Sequence, residues 1–377
     1  MSAATEGFVK KLVVVATIAG LGSALAFLLV ACGESPAPPR VAAWQRLPAG
    51  PIKNRGVASV AGVWTGKELI VTGVRPGLDG TFVKATNVAA AYDPASRTWR
   101  RLAAAPKLPG YCRRDAVWTG REMLLWSCGL AAYNPRTGVW RSLPESPTGE
   151  GFVAWTGREL IGWGGGCCGD VWDGGSAYNP STNTWRTLAR SPLAPSQGPF
   201  GAWTGHELLL LVSGYEPEGK AYPASLARAA AYDPATDTWR RLTPPPSSAV
   251  RYGGTAAWTG RELLVVGNAS VVSHATLAYD PASNRWRRLA RPPVGLIPLN
   301  AFWTGRRLLV LGGDEASRSF AFDPRANRWT RLPQAPLQGP GQTAAWTGHE
   351  LIVWSSADGA ILTPPLGRAT AGVPWHS

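Results

Sequence analysis

A Trp-Thr-Gly step recurs seven times along this chain, with its Trp at 64, 118, 155, 203, 258, 303 and 346. The intervals are 54, 37, 48, 55, 45 and 43 residues, so a fixed unit alternates with connections of variable length. Six copies continue to an aromatic–Asp/Asn–Pro step, at Tyr92-Asp93, Tyr133-Asn134, Tyr178-Asn179, Tyr232-Asp233, Tyr279-Asp280 and Phe322-Asp323. Each of these is followed by a second Trp, at 99, 140, 185, 239, 286 and 329, then Arg or Thr and a Leu. A chain written this way stacks equivalent units.

Each unit reads as four short strands. Small residues before Trp-Thr-Gly form the first, and Thr-Gly turns the chain back. The apolar run after Glu, such as Leu263–Val266, has no polar alternation and reads as a strand buried on both faces. The Ala-Tyr segment is the third strand, stopped by Asp-Pro, which favours a tight turn. The Trp-Arg-Arg-Leu segment is the fourth, with Trp and Leu turned inward and Arg outward. One such sheet cannot bury its own faces, so the sheets pack around an axis.

The seventh unit, Trp346 to Trp354, has an irregular third strand at Ile361–Pro364 and no Trp-x-x-Leu after it. The missing piece lies at the other end, where Trp44-Gln-Arg-Leu-Pro48 precedes the first Trp-Thr-Gly. The expected fold is therefore all-β: a seven-bladed β-propeller of four-stranded antiparallel blades. Its ring is closed by an N-terminal outer strand that completes the last blade and removes the open edges.

These residues resemble the Kelch repeat family, in which a strand ending in Gly-Gly is followed by a Tyr and then an outer-strand Trp. Gly164–Gly166 and Gly312-Gly313 keep the glycines, whereas Thr72-Gly73, Cys128-Gly129 and Gly267-Asn268 depart from the pair. The resemblance spans roughly residues 41–365. It implies the fold and leaves function open, because Kelch propellers include protein-binding modules, galactose-oxidase-like enzymes and sialate mutarotases.

Residues 1–31 read as a leader outside the fold. Lys10-Lys11 precede an uncharged run from Leu12 to Ala31, which ends Leu29-Val-Ala-Cys32-Gly33. That ending looks like the lipobox of bacterial lipoproteins, with Cys32 as the lipidated residue. An uncleaved membrane anchor is the alternative, since about twenty apolar residues span a bilayer. Either way the propeller, residues 41–377, is expected on the outer face of the cytoplasmic membrane, as part of the cell envelope. Residues 32–40 would form the lipidated Cys and a Pro-rich tether.

The formal net charge is +14, with much of the excess on outer strands at Arg100, Arg101, Arg141, Arg186, Arg240, Arg241, Arg287, Arg288 and Arg331. A solubilising rim that discourages strand pairing is one reading, and attraction to anionic envelope polymers or headgroups the other. An exported chain with no recognition motif gives no reason to expect nucleic acid. Of the 19 Trp, fourteen are the two scaffold positions of each blade, so the excess is architectural.

Four further cysteines, Cys112, Cys128, Cys167 and Cys168, can form disulfides in an exported protein. Cys112 and Cys128 flank the Thr119-Gly120 turn evenly, which suggests a cross-strand bridge; a bridge through Cys128 joining blades 2 and 3 is the alternative. No His lies near them in sequence, so no metal site is expected.

Successive connections of a meander fall on alternate faces. The Thr-Gly and Asp-Pro turns share one monotonous face, and the long insertions (Val74–Asn87, Gly164–Ser176, Tyr215–Arg228, Asn268–Thr276) share the other with the blade-to-blade linkers. Binding residues belong on such variable loops. The candidates are Arg114, Asp115, Arg251, Tyr252, Asn300, Trp172 and Asp173, with Arg114, Asp115, Arg251 and Asn300 expected to reach the axis. No catalytic set emerges and no cofactor is expected. Copper-radical chemistry needs two His with Tyr on the binding face, but His206 and His349 occupy turns of the other face and only His274 is suitably placed. The Glu68, Glu122, Glu159, Glu207, Glu262 and Glu350 series belongs to the repeat. A mutarotase-type enzyme would need a carboxylate such as Glu150 or Asp115 beside Arg251. The reading is a monomeric, non-catalytic envelope lipoprotein that binds a protein or glycan; a sugar-active enzyme and a structural envelope component are the alternatives.

Overall fold

The computed structural model describes residues 43–52, 57–77, 85–108, 114–127, 129–148, 151–166, 170–212, 226–246, 254–267, 275–293, 296–312, 318–337, 343–355 and 358–364. They belong to the compact unit Arg40–Ser377. The leader, Cys32 and the tether lie outside the described residues, as do Cys112, Cys128, Cys167 and Cys168 with their expected bridges.

Seven antiparallel four-stranded sheets stand around a common axis, forming a seven-bladed β-propeller. Blade 1 shows the pattern, with strands Ala58–Trp64, Leu69–Arg75, Thr86–Asp93 and Thr98–Arg101 from the axis outward. In every blade the second strand is buried almost throughout, because both of its faces meet a neighbouring blade. Seven apolar clusters fill the seams, and each draws residues from adjoining blades. Blade 7 is completed by Ala43–Arg46, which pairs antiparallel with Gly359–Thr363 and sets Trp44 opposite Leu362.

The repeat is explained residue by residue. In each hairpin the Thr hydroxyl accepts from the Glu amide three residues on, as Thr65 does from Glu68 at 3.0 Å; Arg307 replaces Glu in blade 6. The following Gly takes a φ between 87° and 105° in all seven turns, a region that a side chain strains. At the other turn the Asp or Asn carboxyl or amide oxygen accepts a backbone N–H two residues on, as Asp93 does from Ala95 at 2.8 Å. The Tyr or Phe before it is buried against the outer Trp of its own blade, with ring centroids 4.8 to 5.2 Å apart.

The outer Trp also joins the blades. Its indole N–H donates to a carbonyl in the linker that leaves the preceding blade: Trp99 to Pro48, Trp140 to Ala103, Trp185 to Pro144, Trp239 to Ala189, Trp286 to Thr243 and Trp329 to Ala290. Trp44 makes the seventh tie, to Pro333 of blade 6. The donor–acceptor distances lie between 2.7 and 3.1 Å. Trp126 and Trp163 extend the Trp scaffold beyond its two repeat positions. They lie edge-on against Trp185 and Trp239 of the next blade, and Gly162 leaves room for Trp126, whose ring a Cβ there would meet at 2.4 Å.

Part of the basic rim is internally matched. Arg100, Arg141, Arg186, Arg240 and Arg287 each pair with the Glu of their own blade's hairpin. Blade 6 changes both partners, with Arg307 in the Glu place and Thr330 in the Arg place, and Arg307 turns to Asp323 at 3.7 Å. Blade 7 has Gln45 in the Arg place, and Glu350 accepts instead from the Thr363 hydroxyl. These pairs are partly exposed and individually worth about 1 kcal/mol or less.

Two outcomes test this scheme. Trp44→Phe should cost about 1 kcal/mol through the lost hydrogen bond, and Trp44→Ala about 2 kcal/mol, both read by urea unfolding. Wild-type midpoints for both would show that the Trp44 tie carries no stability. The second outcome concerns Asp237. Burial opposes its ionisation, but the Tyr232 hydroxyl at 2.6 Å, the Ala189 amide and Arg186 outweigh it and hold the carboxyl below its ordinary value. A carboxyl lowered on folding stabilises at neutral pH and loses that contribution as pH falls through the folded value. Asn284 makes the equivalent bonds to Tyr279 and Thr243, so Asp237→Asn should fold. It should lose less stability than wild type between about pH 5 and pH 2 in acid titrations followed by circular dichroism.

Candidate functional site

Antiparallel connectivity puts the hairpin and Asp/Asn-Pro turns on one face of the ring, and the second-to-third-strand connections and blade-to-blade linkers on the other. The turn face is uniform. His206 and His349 sit there with side chains 76% and 77% exposed. Asp280 and Asp323 are there too. The Ser283 hydroxyl and the Ala282 amide lower the Asp280 carboxyl, and burial at Asp323 is outweighed by the Ala326 and Arg325 amides. Both are held ionised.

The variable face differs blade by blade. Its most elaborate described feature is the connection of blade 3, between Leu160–Trp163 and Gly175–Asn179. Gly164, Gly165 and Gly166 have φ of 73°, 107° and 122°, so three successive residues run in the left-handed half of backbone space. A Cβ at Gly166 would lie 2.2 Å from the Asp170 carbonyl oxygen. The linker between blades 3 and 4 closes over this turn. Gly165 N–H donates to Ser196 O at 2.8 Å, Trp172 N–H to Gly165 O at 3.1 Å, and Ser196 N–H to Trp172 O at 3.1 Å. The Gln197 side-chain amide donates to Asp170 O at 2.9 Å.

This framework fixes the backbone of Trp172 while its side chain stays open. Trp172 is 43% exposed, whereas every other described Trp is buried or half-buried. Asp170 and Asp173 beside it are exposed. The arrangement offers an aromatic face and two hydrogen-bond-accepting carboxylates at low ordering cost.

A second feature lies in the seam between blades 1 and 2. Arg114 precedes the inner strand Asp115–Trp118, and its Nη2 donates 2.8 Å to Asn87 Oδ1 on blade 1. Asn87 is itself fixed, because its Nδ2 donates to the Ala105 and Pro106 carbonyls. Arg114 is only 4% exposed, and burial pushes its guanidinium down to about 10. The expectation that it reaches the axis is therefore corrected. Alternate side chains of an inner strand point to the preceding and following blades, and position 114 faces blade 1.

Asp115 follows on the inner strand, half-buried and paired across to Trp126. Asn300 is half-buried in Pro298–Trp303, beside a register shift between Pro298 and Asn300. Leu299 lies within that shift and Ile297 just before it, 47% and 48% exposed. The described candidates come from different blades: Arg114 and Asp115 belong to blade 2, Trp172 and Asp173 to blade 3, and Asn300 to blade 6. Arg251 and Tyr252 lie outside the described residues, as do Glu150 and His274. The insertion expected over Val74–Asn87 starts and finishes as paired strand, with Val74 opposite Asn87 and Arg75 opposite Thr86. Asn87, Ser196 and Gln197 went unseen in the sequence reading because their roles depend on contacts between blades or between a linker and a loop.

No protein-family model matches this chain, and no curated protein matches it. Among solved structures, a chain from the crystal structure of a mitotic checkpoint complex superposes with a TM-score of 0.55 at 13% identity, covering 91% of this chain and 99% of that one. At that identity the likeness speaks for the fold alone. In all, 1221 chains of known structure match, so the shared fold does not select a ligand.

Proposed function

We propose that this chain is a non-catalytic binding module of the cell envelope. In this reading it is a Kelch-type propeller held at the outer face of the cytoplasmic membrane by lipid on Cys32, and it binds a sugar unit against Trp172. One observation carries the ligand class: an exposed indole, pinned through its own backbone, is flanked in sequence by two exposed carboxylates on the variable face. The apolar face of a pyranose can stack on the indole, and its hydroxyls can donate to Asp170 and Asp173. A protein interface calls for a broader apolar centre than a single ring. The internally matched arginines leave the rim a smaller role in attracting anionic polymers.

Two experiments test the reading. Thermal melting against neutral monosaccharides and cell-wall fragments should show one responding sugar class. A ligand at 100 times its dissociation constant adds about 2.7 kcal/mol, which is readily seen in a melt. Trp172→Ala should abolish the response with the unliganded melt unchanged. A flat panel would overturn the glycan assignment and favour a protein partner. Separately, mass spectrometry of the mature N-terminus should find a diacylglyceryl thioether on Cys32, and Cys32→Ala should abolish partition into the detergent phase. An unmodified Cys32 behind an intact leader would identify an uncleaved membrane anchor instead.

A further inference from the structure

Among the described residues, the seam between blades 1 and 2 buries hydrogen-bonding groups that have no partner. Arg114 Nη2 is engaged by Asn87, but its Nε and Nη1 are buried without a hydrogen-bond partner among the described residues. The Ser127 hydroxyl shares this condition, in a residue only 2% exposed. The ladder ends with Asp115 opposite Trp126, and its direction, carried one residue further, brings Ser127 towards Arg114. Residues directly opposite in an antiparallel pair project from the same face of the sheet, with Cβ atoms about 5 Å apart. Trp126 projects toward blade 3, where its ring meets Gly162 and Trp185, so Ser127 and Arg114 project toward blade 1. The bond to Asn87 shows the same direction.

We infer that this seam is an anion site, in which Arg114 Nε and Nη1 and the Ser127 hydroxyl receive a carboxylate while Asn87 holds the guanidinium in place.

Arg cannot shed its proton to escape burial, so its charge calls for a counter-charge. No described carboxylate pairs with it. One guanidinium carries a single positive charge, which a carboxylate neutralises. A phosphate dianion would leave an excess negative charge buried. Carboxylate oxygens also accept several donors at once, from guanidinium and hydroxyl alike. This site and the Trp172 platform are separate features, and neither assignment rests on the other.

The test is thermal melting of the full chain with sodium acetate, against sodium chloride at equal ionic strength and against neutral acetamide. Acetate should raise the melting temperature saturably, and acetamide should not. Glucuronate and a dipeptide with a free C-terminal carboxylate extend the series. A tighter response to one of them identifies a sugar acid or a peptide terminus as the source of the carboxylate. Arg114→Met keeps the length and apolar stem but removes the charge. It should lose the acetate response and melt no lower than unliganded wild type, since an uncompensated buried charge has gone. Ser127→Ala should weaken the acetate response about tenfold, the scale of one charge-assisted hydrogen bond, with the unliganded melt nearly unchanged. Trp172→Ala should respond to acetate like wild type, which separates this inference from the glycan reading. The inference is overturned if acetate does no more than chloride. It is also overturned if Ser127→Ala responds to acetate as wild type does, or if Arg114→Met melts lower and still responds.

Discussion

The ring depends on one hydrogen bond made seven times, from the outer Trp of each blade to a carbonyl in the linker leaving the blade before it. A blade sheet exposes two faces that only its neighbours can cover, and apolar packing alone leaves blades free to slide. The indole resolves this by lying against its own blade's Tyr or Phe, or against Leu362 in blade 7, while pointing its N–H across the seam. Burial supplies most of the energy and the directed bond fixes the register. The tie also explains why the first strand of the ring in sequence, Ala43–Arg46, is an outer one. Without Trp44, blade 7 would have no donor for Pro333, and without Pro48, Trp99 would have no acceptor.

A second, polar layer follows from the same geometry. In blades 4 and 5 the left-handed residue of the Asp-Pro turn, Asp237 or Asn284, carries a carboxylate or amide that accepts from its own blade's Tyr hydroxyl and from a linker amide of the preceding blade. Arg186 joins Glu159 of its own blade to Tyr232 of the next. Blade 6 changes Glu and Arg together, so the pairing rule persists where the letters do not. Charged residues that recur in every unit therefore belong to the scaffold, and the variable face is where a ligand-specific residue has to be sought.

On that face the two features use opposite means. Trp172 is an exposed ring whose backbone is satisfied by Gly165 and Ser196, so it offers surface without further ordering. Arg114 is a buried charge with donors left over, so its seam favours an occupant that brings negative charge. Both rest on linkers that differ between blades, while the invariant turns lie on the other face. The invariant turns and these two candidate features are thus segregated by strand direction.

The seven-fold ring, its closure by Trp44 and the structural status of the Glu series could all be read from the order of residues. A repeat states its own architecture when each copy carries the turn glycine, the buried aromatic and the outer Trp that the geometry requires. Trp172 was legible as a polar-loop aromatic for the same reason, since it stands outside the repeat. The tertiary structure alone decided that Arg114 turns from the axis into the seam, that Ser127 is buried there without a partner, and that Asn87 holds Arg114 from another blade. Residues 27 positions apart meet there across two blades. The direction of a side chain on an inner strand is set by which neighbouring blade it faces, and that follows from strand register and seam packing, which no local pattern encodes.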